Sequence, residues 1–139
     1  MKTKRQEPRY KSVMLVDDNQ IDNYINEMII KGSGFAENVF SYSGAMSSLD
    51  FFKNIRAIHK LSNELLPTYL FLDINMPVLD GFQFLDEFAE FSPLLKQEIK
   101  IVILTTSANP IDIKKAAKYG EVVKFLRKPL TEEDLSRLN

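Results

Sequence analysis

Residues 100–129 read KIVILTTSANPIDIKKAAKYGEVVKFLRKP, and the order of signals within them decides the fold. Lys100 to Leu104 is a short apolar run rich in β-branched residues, the composition of a strand. Asn109-Pro110-Ile111-Asp112 then supplies a helix cap, a first-turn proline and an early acid ahead of Ile113, Ala116 and Ala117, and Gly120 stands just past the helix end. Val122 to Leu126 is a second apolar run. Strand, helix and strand in so short a stretch form a βαβ unit, with parallel strands and a right-handed crossover. Polar groups close both strands: Thr105-Thr106-Ser107 after the first, Arg127-Lys128-Pro129 after the second.

The same alternation runs back to the start of the chain. Ser12 to Val16, Asn38 to Tyr42 and Thr68 to Leu72 are three more strand candidates, and their near-continuous apolarity predicts strands buried on both faces. Asn19 caps a first helix with Ile21, Ile25, Met28 and Ile29 on one face, stopped by glycines 32 and 34. Ser43 opens a second, carrying Met46, Leu49, Phe52 and Ile55, while Phe82, Leu85, Phe88 and Ala89 mark a third. Thr131 with Glu132, Glu133 and Asp134 opens the last, whose Leu135 and Leu138 face inward. Asn54 to Leu66 reads as irregular or as an extension of the second helix. Phenylalanines 82, 84, 88 and 91 cover more than one helical stripe and read as core, with an exposed contact patch as the alternative. The pattern is that of an α/β domain with helices on both faces of a parallel sheet, spanning residues 12–139 behind a basic solvated tail at residues 1–11.

Composition narrows the chemistry. The 139 residues suit one domain, and 45% hydrophobic with 27% charged residues is ordinary for a globular protein. Lysine and arginine number 18 against 19 acids, so no global positive field is available for nucleic acid or an anionic membrane. With no cysteine and one histidine, disulfides, thiolate nucleophiles, structural zinc and two-histidine metal sites are all excluded. His59 has no partner acid at helical spacing and reads as solvated. The apolar run Val13 to Val16 is far too short for a signal-peptide core or a membrane span, which makes a cytoplasmic protein the expectation. What remains is chemistry by oxygen ligands and lysine.

Open parallel sheets bind ligands beyond the carboxyl ends of their strands. There the first strand ends in Asp17-Asp18, the third in Asp73-Ile74-Asn75, the fourth in Thr105 and the fifth in Lys128, all on one rim. The exit of the second strand, Ser41-Tyr42-Ser43, is uncharged and suits an outer position. Three carboxylates in one crevice repel each other unless cations offset them, and magnesium together with Lys128 are the natural counter-charges. Such a group can place a phosphoryl moiety against a carboxylate, the one plausible nucleophile where cysteine is absent and the single histidine, His59, lies away from the rim.

These residues resemble the receiver domain of two-component response regulators, in its CheY-like single-domain form, over about Ser12 to Leu138. The stretch Asp73-Ile74-Asn75-Met76-Pro77-Val78-Leu79-Asp80-Gly81 matches the family's acceptor-loop motif, and the Asp pair, Thr105 and Lys128-Pro129 follow in its order. The resemblance implies a flavodoxin-like sheet of strand order 2-1-3-4-5. It implies Asp73 as acceptor of a phosphoryl group from a histidine kinase or histidine phosphotransfer protein. Magnesium would be held by Asp18 and Asp73, by the Asn75 carbonyl and, through water, by Asp17. Lys128, ahead of a cis proline bond, would pair with the phosphoryl oxygens, and Thr105 and Phe125 would carry the switch to a surface of fourth helix, fifth strand and last helix. Asn75, Thr106 and Ser107 occupy positions that tune phosphoryl lifetime in the family, and Thr106 is larger than the family's usual residue there. The implied protein is a phosphorelay component with an unknown downstream protein, at most a self-phosphorylating acceptor and slow autophosphatase, and a monomer or weak homodimer. A chain of this length is expected to act through its own surface rather than through an attached output domain. The alternatives are a receiver-like docking module that takes no phosphate, and a magnesium-dependent phosphatase with an Asp nucleophile. The latter class wants Asp-x-Asp after its first strand, where this chain has adjacent acids.

Overall fold

The computed structural model describes residues 7–57 and 66–138. Its elements are β1 (Tyr10–Val16), α1 (Gln20–Gly32), β2 (Ala36–Tyr42), α2 (Ala45–Ala57), β3 (Tyr69–Leu72), α3 (Gly81–Phe88), α4 (Pro93–Glu98), β4 (Lys100–Thr105), α5 (Pro110–Ala116), β5 (Val122–Arg127) and α6 (Glu132–Ser136). The five strands pair in parallel in the order β2-β1-β3-β4-β5, the doubly wound sheet expected from the sequence. Complete apolar burial belongs to β3 and to nearly all of β1 and β4, which have a helix layer on each face. The edge strands depart from the expectation: β2 exposes four of its seven side chains and β5 three of its six, because each has one neighbouring strand instead of two.

Alternation along the strands builds two cores, one on each face. Met14, Leu70, Leu72, Ile101 and Ile103 meet Phe52 of α2 and Phe84, Leu85 and Phe88 of α3. Val13, Leu15, Phe71 and Val102 meet Phe35, Ile30 of α1, and Leu135 and Leu138 at the C-terminal end. Phe82, Phe84, Phe88 and Phe91 are all buried, which resolves their reading in favour of core. The ring of Phe88 stands edge-on to those of Phe52 and Phe91, with centroids 5.6 and 5.7 Å away.

The caps fall where the sequence placed them at α1, α5 and α6. Asn19 Oδ1 accepts from the backbone N–H groups of Ile21 and Asp22, Asn109 Oδ1 accepts from Ile111, and Thr131 forms a reciprocal capping box with Asp134. One helix lay outside the expectation: α4 is started by Ser92, whose Oγ accepts from the Leu95 N–H, and by Pro93 at its first position.

The N-terminal boundary also moves. Tyr10 and Lys11 belong to β1, and Arg9 donates from its guanidinium to the carbonyls of Leu135 and Leu138, so these three residues are part of the folded unit. Residues 1–6 of the expected tail, and residues 58–65 including His59, lie outside the described residues. Among the described residues, no helix is long and apolar enough to cross a membrane.

The first helix turns most of its apolar stripe to solvent. Ile21, Tyr24, Ile25 and Met28 are exposed by 69%, 67%, 43% and 57%, whereas Asn23, Asn26 and Ile30 are buried. Of the four residues that hydrophobic spacing placed on one face, Ile21, Ile25 and Met28 point to solvent and Ile29 packs partly against the core.

Candidate functional site

Parallel pairing delivers the polar residues to one rim. The N–H of Asp17 donates to Tyr42 O at 3.1 Å, which ties the end of β1 to β2, and the N–H of Asp73 donates to Val16 O at 3.0 Å, which holds the ends of β1 and β3 side by side. Asp17 and Asp73 are buried and Asp18 is exposed. Each of the three offers a carboxylate oxygen, and those oxygens lie within 4.8 Å of one another.

Local backbone groups fix the two buried acids. Asp17 Oδ1 accepts from the Asn19 N–H at 2.9 Å, and Asn23 donates its Nδ2 to the Asp17 carbonyl at 2.9 Å. Asp73 Oδ1 accepts from the Asn75 N–H at 3.3 Å. Beyond Asp73 the chain doubles back, and the Gly81 N–H donates to Ile74 O at 2.9 Å. A Cβ at position 81 would lie 2.6 Å from the Asp73 carbonyl oxygen and 2.8 Å from Ile74 Cα, so only glycine lets α3 start against this loop.

Lys128 enters from the end of β5, where its N–H donates to Thr105 O at 2.8 Å and its bond to Pro129 is cis, as the resemblance implied. Its Nζ contacts three carboxylates: Asp17, Asp22 at 2.9 Å and Asp73 at 3.3 Å. Burial by itself pulls the ammonium toward neutrality, but the hydrogen bonds to Asp17 and Asp22 and the charges of Asp73 and Asp17 outweigh it, so the pKa of Lys128 lies above its ordinary value. Burial pushes the Asp17 carboxyl up, and the hydrogen bonds from Lys128 and the Asn19 N–H recover only part of that rise. Both directions describe a desolvated cluster in which the lysine is firmly charged.

Thr105 is fully buried at the end of β4, and its Oγ1 accepts from the Ser107 N–H at 3.3 Å. Thr106 is exposed. Ser107 donates to Asp112 Oδ2 at 2.7 Å and accepts from the Asn109 N–H, which engages its hydroxyl with the start of α5. Phe125, paired with Ile103 across β4 and β5, is partly buried against the larger core. The structure thus unites Asp17, Asp18, Asp73 and Lys128 directly, joins Thr105 to Lys128 through the backbone, and holds Thr106, Ser107 and Phe125 farther along the same strand ends. The Asn75 side chain is exposed, and its contact with the acid cluster is through its backbone.

Sequence reasoning did not single out Asp22 or Asn23 as parts of the site, and Gly81 entered only as the last residue of the acceptor-loop motif. Asp22 sits in the first turn of α1, where an acid is ordinarily explained by the helix dipole. The available signal was its position one turn after Asp18, on the same rim.

An all-oxygen acid cluster answered by one lysine at the carboxyl edge of a 2-1-3-4-5 sheet defines a class, and the chain belongs to the response regulator receiver domain family, whose model matches residues 13–138. It is a receiver domain of two-component signalling. Among curated proteins it is 30% identical to the two-component response regulator ARR17 of Arabidopsis thaliana over 128 residues, covering 91% of this chain and 80% of that protein. Among solved structures, a two-component response regulator from Cytophaga hutchinsonii superposes with a TM-score of 0.81 at 27% identity, covering 94% of this chain and 93% of that one. The phosphorylated cyanobacterial phytochrome response regulator RcpA superposes with a TM-score of 0.70 at 25% identity, covering 91% and 86%.

Proposed function

We propose that the chain accepts a phosphoryl group on Asp73 from a phosphohistidine of a kinase or phosphotransfer protein, and that this changes the surface built by α5, β5 and α6. The observation that carries the reading is the convergence of three carboxylate oxygens within 4.8 Å, one of them from Asp73, with Lys128 Nζ 3.3 Å from Asp73. The donor set is oxygen alone, which fits a hard divalent cation. Asp18 and Asp73, with the Asn75 carbonyl and more distantly Asp17, would hold magnesium. When bound, that ion supplies charge neutralisation for the nucleophile and the entering phosphoryl oxygens.

The protein's own groups do the rest. An Asp73 carboxylate oxygen forms the bond to phosphorus as the P–N bond of phosphohistidine breaks, and the electron pair stays on the imidazole nitrogen. Lys128, charged throughout the neutral range, meets the phosphoryl oxygens that replace its present contact with Asp73. Thr105 donates its hydroxyl to another of those oxygens, which requires the β4–α5 turn to move and gives Phe125 space to turn inward. A protein donor docks on the solvent-facing stripe Ile21, Tyr24, Ile25 and Met28, which adjoins the acid cluster through Asp22 and Asn19.

Incubation of the wild type with acetyl phosphate and magnesium should label Asp73, and Asp73→Asn should abolish labelling as read by intact mass after acid quench. Labelling at full extent in that variant would remove the acceptor assignment, and an unlabelled wild type would favour a docking module. The phosphatase reading is weaker, because Asn75 stands two residues after Asp73 with its side chain exposed and no second acid there.

A further inference from the structure

Four carboxylates surround the lysine and the metal position, and they divide unequally between the two. Asp17, Asp18 and Asp73 form the oxygen trio within 4.8 Å, and Asp22 lies outside it. Lys128 instead contacts Asp17, Asp22 and Asp73. Two carboxylates are therefore shared between the ammonium and the metal position, and Asp22 serves the ammonium alone. Its placement is fixed by the fold: Asp22 is in the first turn of α1, and its N–H donates to the capping Asn19 Oδ1 at 3.0 Å. It is also the most exposed of the three lysine partners, with 32% of its side chain accessible against 6% and 7% for Asp17 and Asp73.

Sharing creates a competition. An ammonium bonded to Asp17 and Asp73 occupies lone pairs that a divalent cation and a phosphoryl group also need, and a buried ammonium cannot give up both contacts without another acceptor. We propose that Asp22 is a positioning residue that provides that acceptor, holding Lys128 at the rim while Asp17 and Asp73 turn to the metal ion. The inference rests on the magnesium-assisted acceptor reading and adds a residue to it. Because Asp22 acts through the lysine, its effect on the metal must vanish when the lysine is absent.

That condition is a double-mutant cycle. Magnesium affinity is measured by isothermal titration calorimetry, with the metal as its chloride, on wild type, Asp22→Asn, Lys128→Ala and the double variant. Asp22→Asn should weaken magnesium about fivefold, the scale of a partly exposed ion pair. In the Lys128→Ala background the same change should shift affinity by less than about twofold, the residue of a screened distant charge. Asp22→Glu should recover most of the loss. Equal weakening in both backgrounds would reduce Asp22 to a general negative charge and overturn the proposal, as would wild-type affinity in Asp22→Asn. Failure of the wild type to bind magnesium would be a different result, since it removes the acceptor reading itself.

Discussion

Helices α1 and α3 lie on opposite faces of one sheet and follow the two strands that end in the acid cluster, yet their sequences are used in opposite ways. In α3, Phe82, Phe84, Leu85 and Phe88 are all buried, and the helix is held by apolar contact. In α1, Asn23 and Asn26 go inside while Ile21, Tyr24, Ile25 and Met28 stay outside. Asn23 binds the Asp17 carbonyl through Nδ2, and its Oδ1 has no partner among the described residues. A buried acceptor left unpaired costs about 1–3 kcal/mol. The contrast teaches that the two helices support the site differently: α3 anchors the loop after Asp73 by apolar packing, and α1 gives up apolar burial to place Asn23 against Asp17 and Asp22 against Lys128, leaving exposed the face proposed above for docking.

The comparison can be broken most directly in α3. Phe88→Ala should lower stability by about 3–5 kcal/mol, measured by urea denaturation, because its ring packs between α2 and the chain after α3. A loss below about 1 kcal/mol would show that α3 is not the anchor. Gly81→Ala should cost about 1–3 kcal/mol by forcing a Cβ into the acceptor loop, and it should also slow labelling of Asp73 by acetyl phosphate. Unaltered labelling at lowered stability would mean that the loop accommodates the methyl group without moving Asp73.

A smaller effect probes the core under α1. Tyr69, buried beside Phe35 and Phe71, has its phenol pushed up to about 12, first by burial and then by Tyr10. The folded state therefore favours the neutral phenol; its contribution is complete below the unfolded value of 10.0 and is lost as pH rises toward the folded value. Thermal melts from neutral to strongly alkaline pH should fall less steeply above that point in Tyr69→Phe than in the wild type, and parallel curves would contradict the assignment. Smallest of all should be the stability change on removing the apolar face of α1. Tyr24→Ser with Ile25→Ser should alter stability by no more than about 0.5 kcal/mol per site, yet phosphotransfer from a protein donor should drop while acetyl phosphate labelling persists. Equal loss with both donors would move the defect from docking to the acceptor itself.

Much of this was legible in the sequence, for identifiable reasons. Five apolar runs, the caps at Asn19, Asn109 and Thr131, and the polar residues after each run gave the sheet and its rim, since strand ends can be located without knowing how helices rotate. The rotation of α1 could not be found that way. Periodicity groups Ile21, Ile25, Met28 and Ile29 but carries no sign for inside or outside, and the inward turn of Asn23 is explained only by the carbonyl of Asp17. Asp22 was hidden by a simpler reason for an acid at a helix start. The helix at Pro93–Glu98 had both of its start signals, Ser92 and Pro93, but only a few residues over which to show a period.

The close fit at Gly81 has a mechanical consequence. With no side chain between α3 and the Asp73 carbonyl, Asp73 is continuous with α3, which buries five of its eight residues. On the other side of the pocket, α5 buries only Ala116 of its seven. A load applied at Asp73 is thus divided by stiffness, and displacement accumulates in the softer member. In the proposed transfer Asp73 is the fixed jaw, and the β4–α5 turn is where the added volume is taken up.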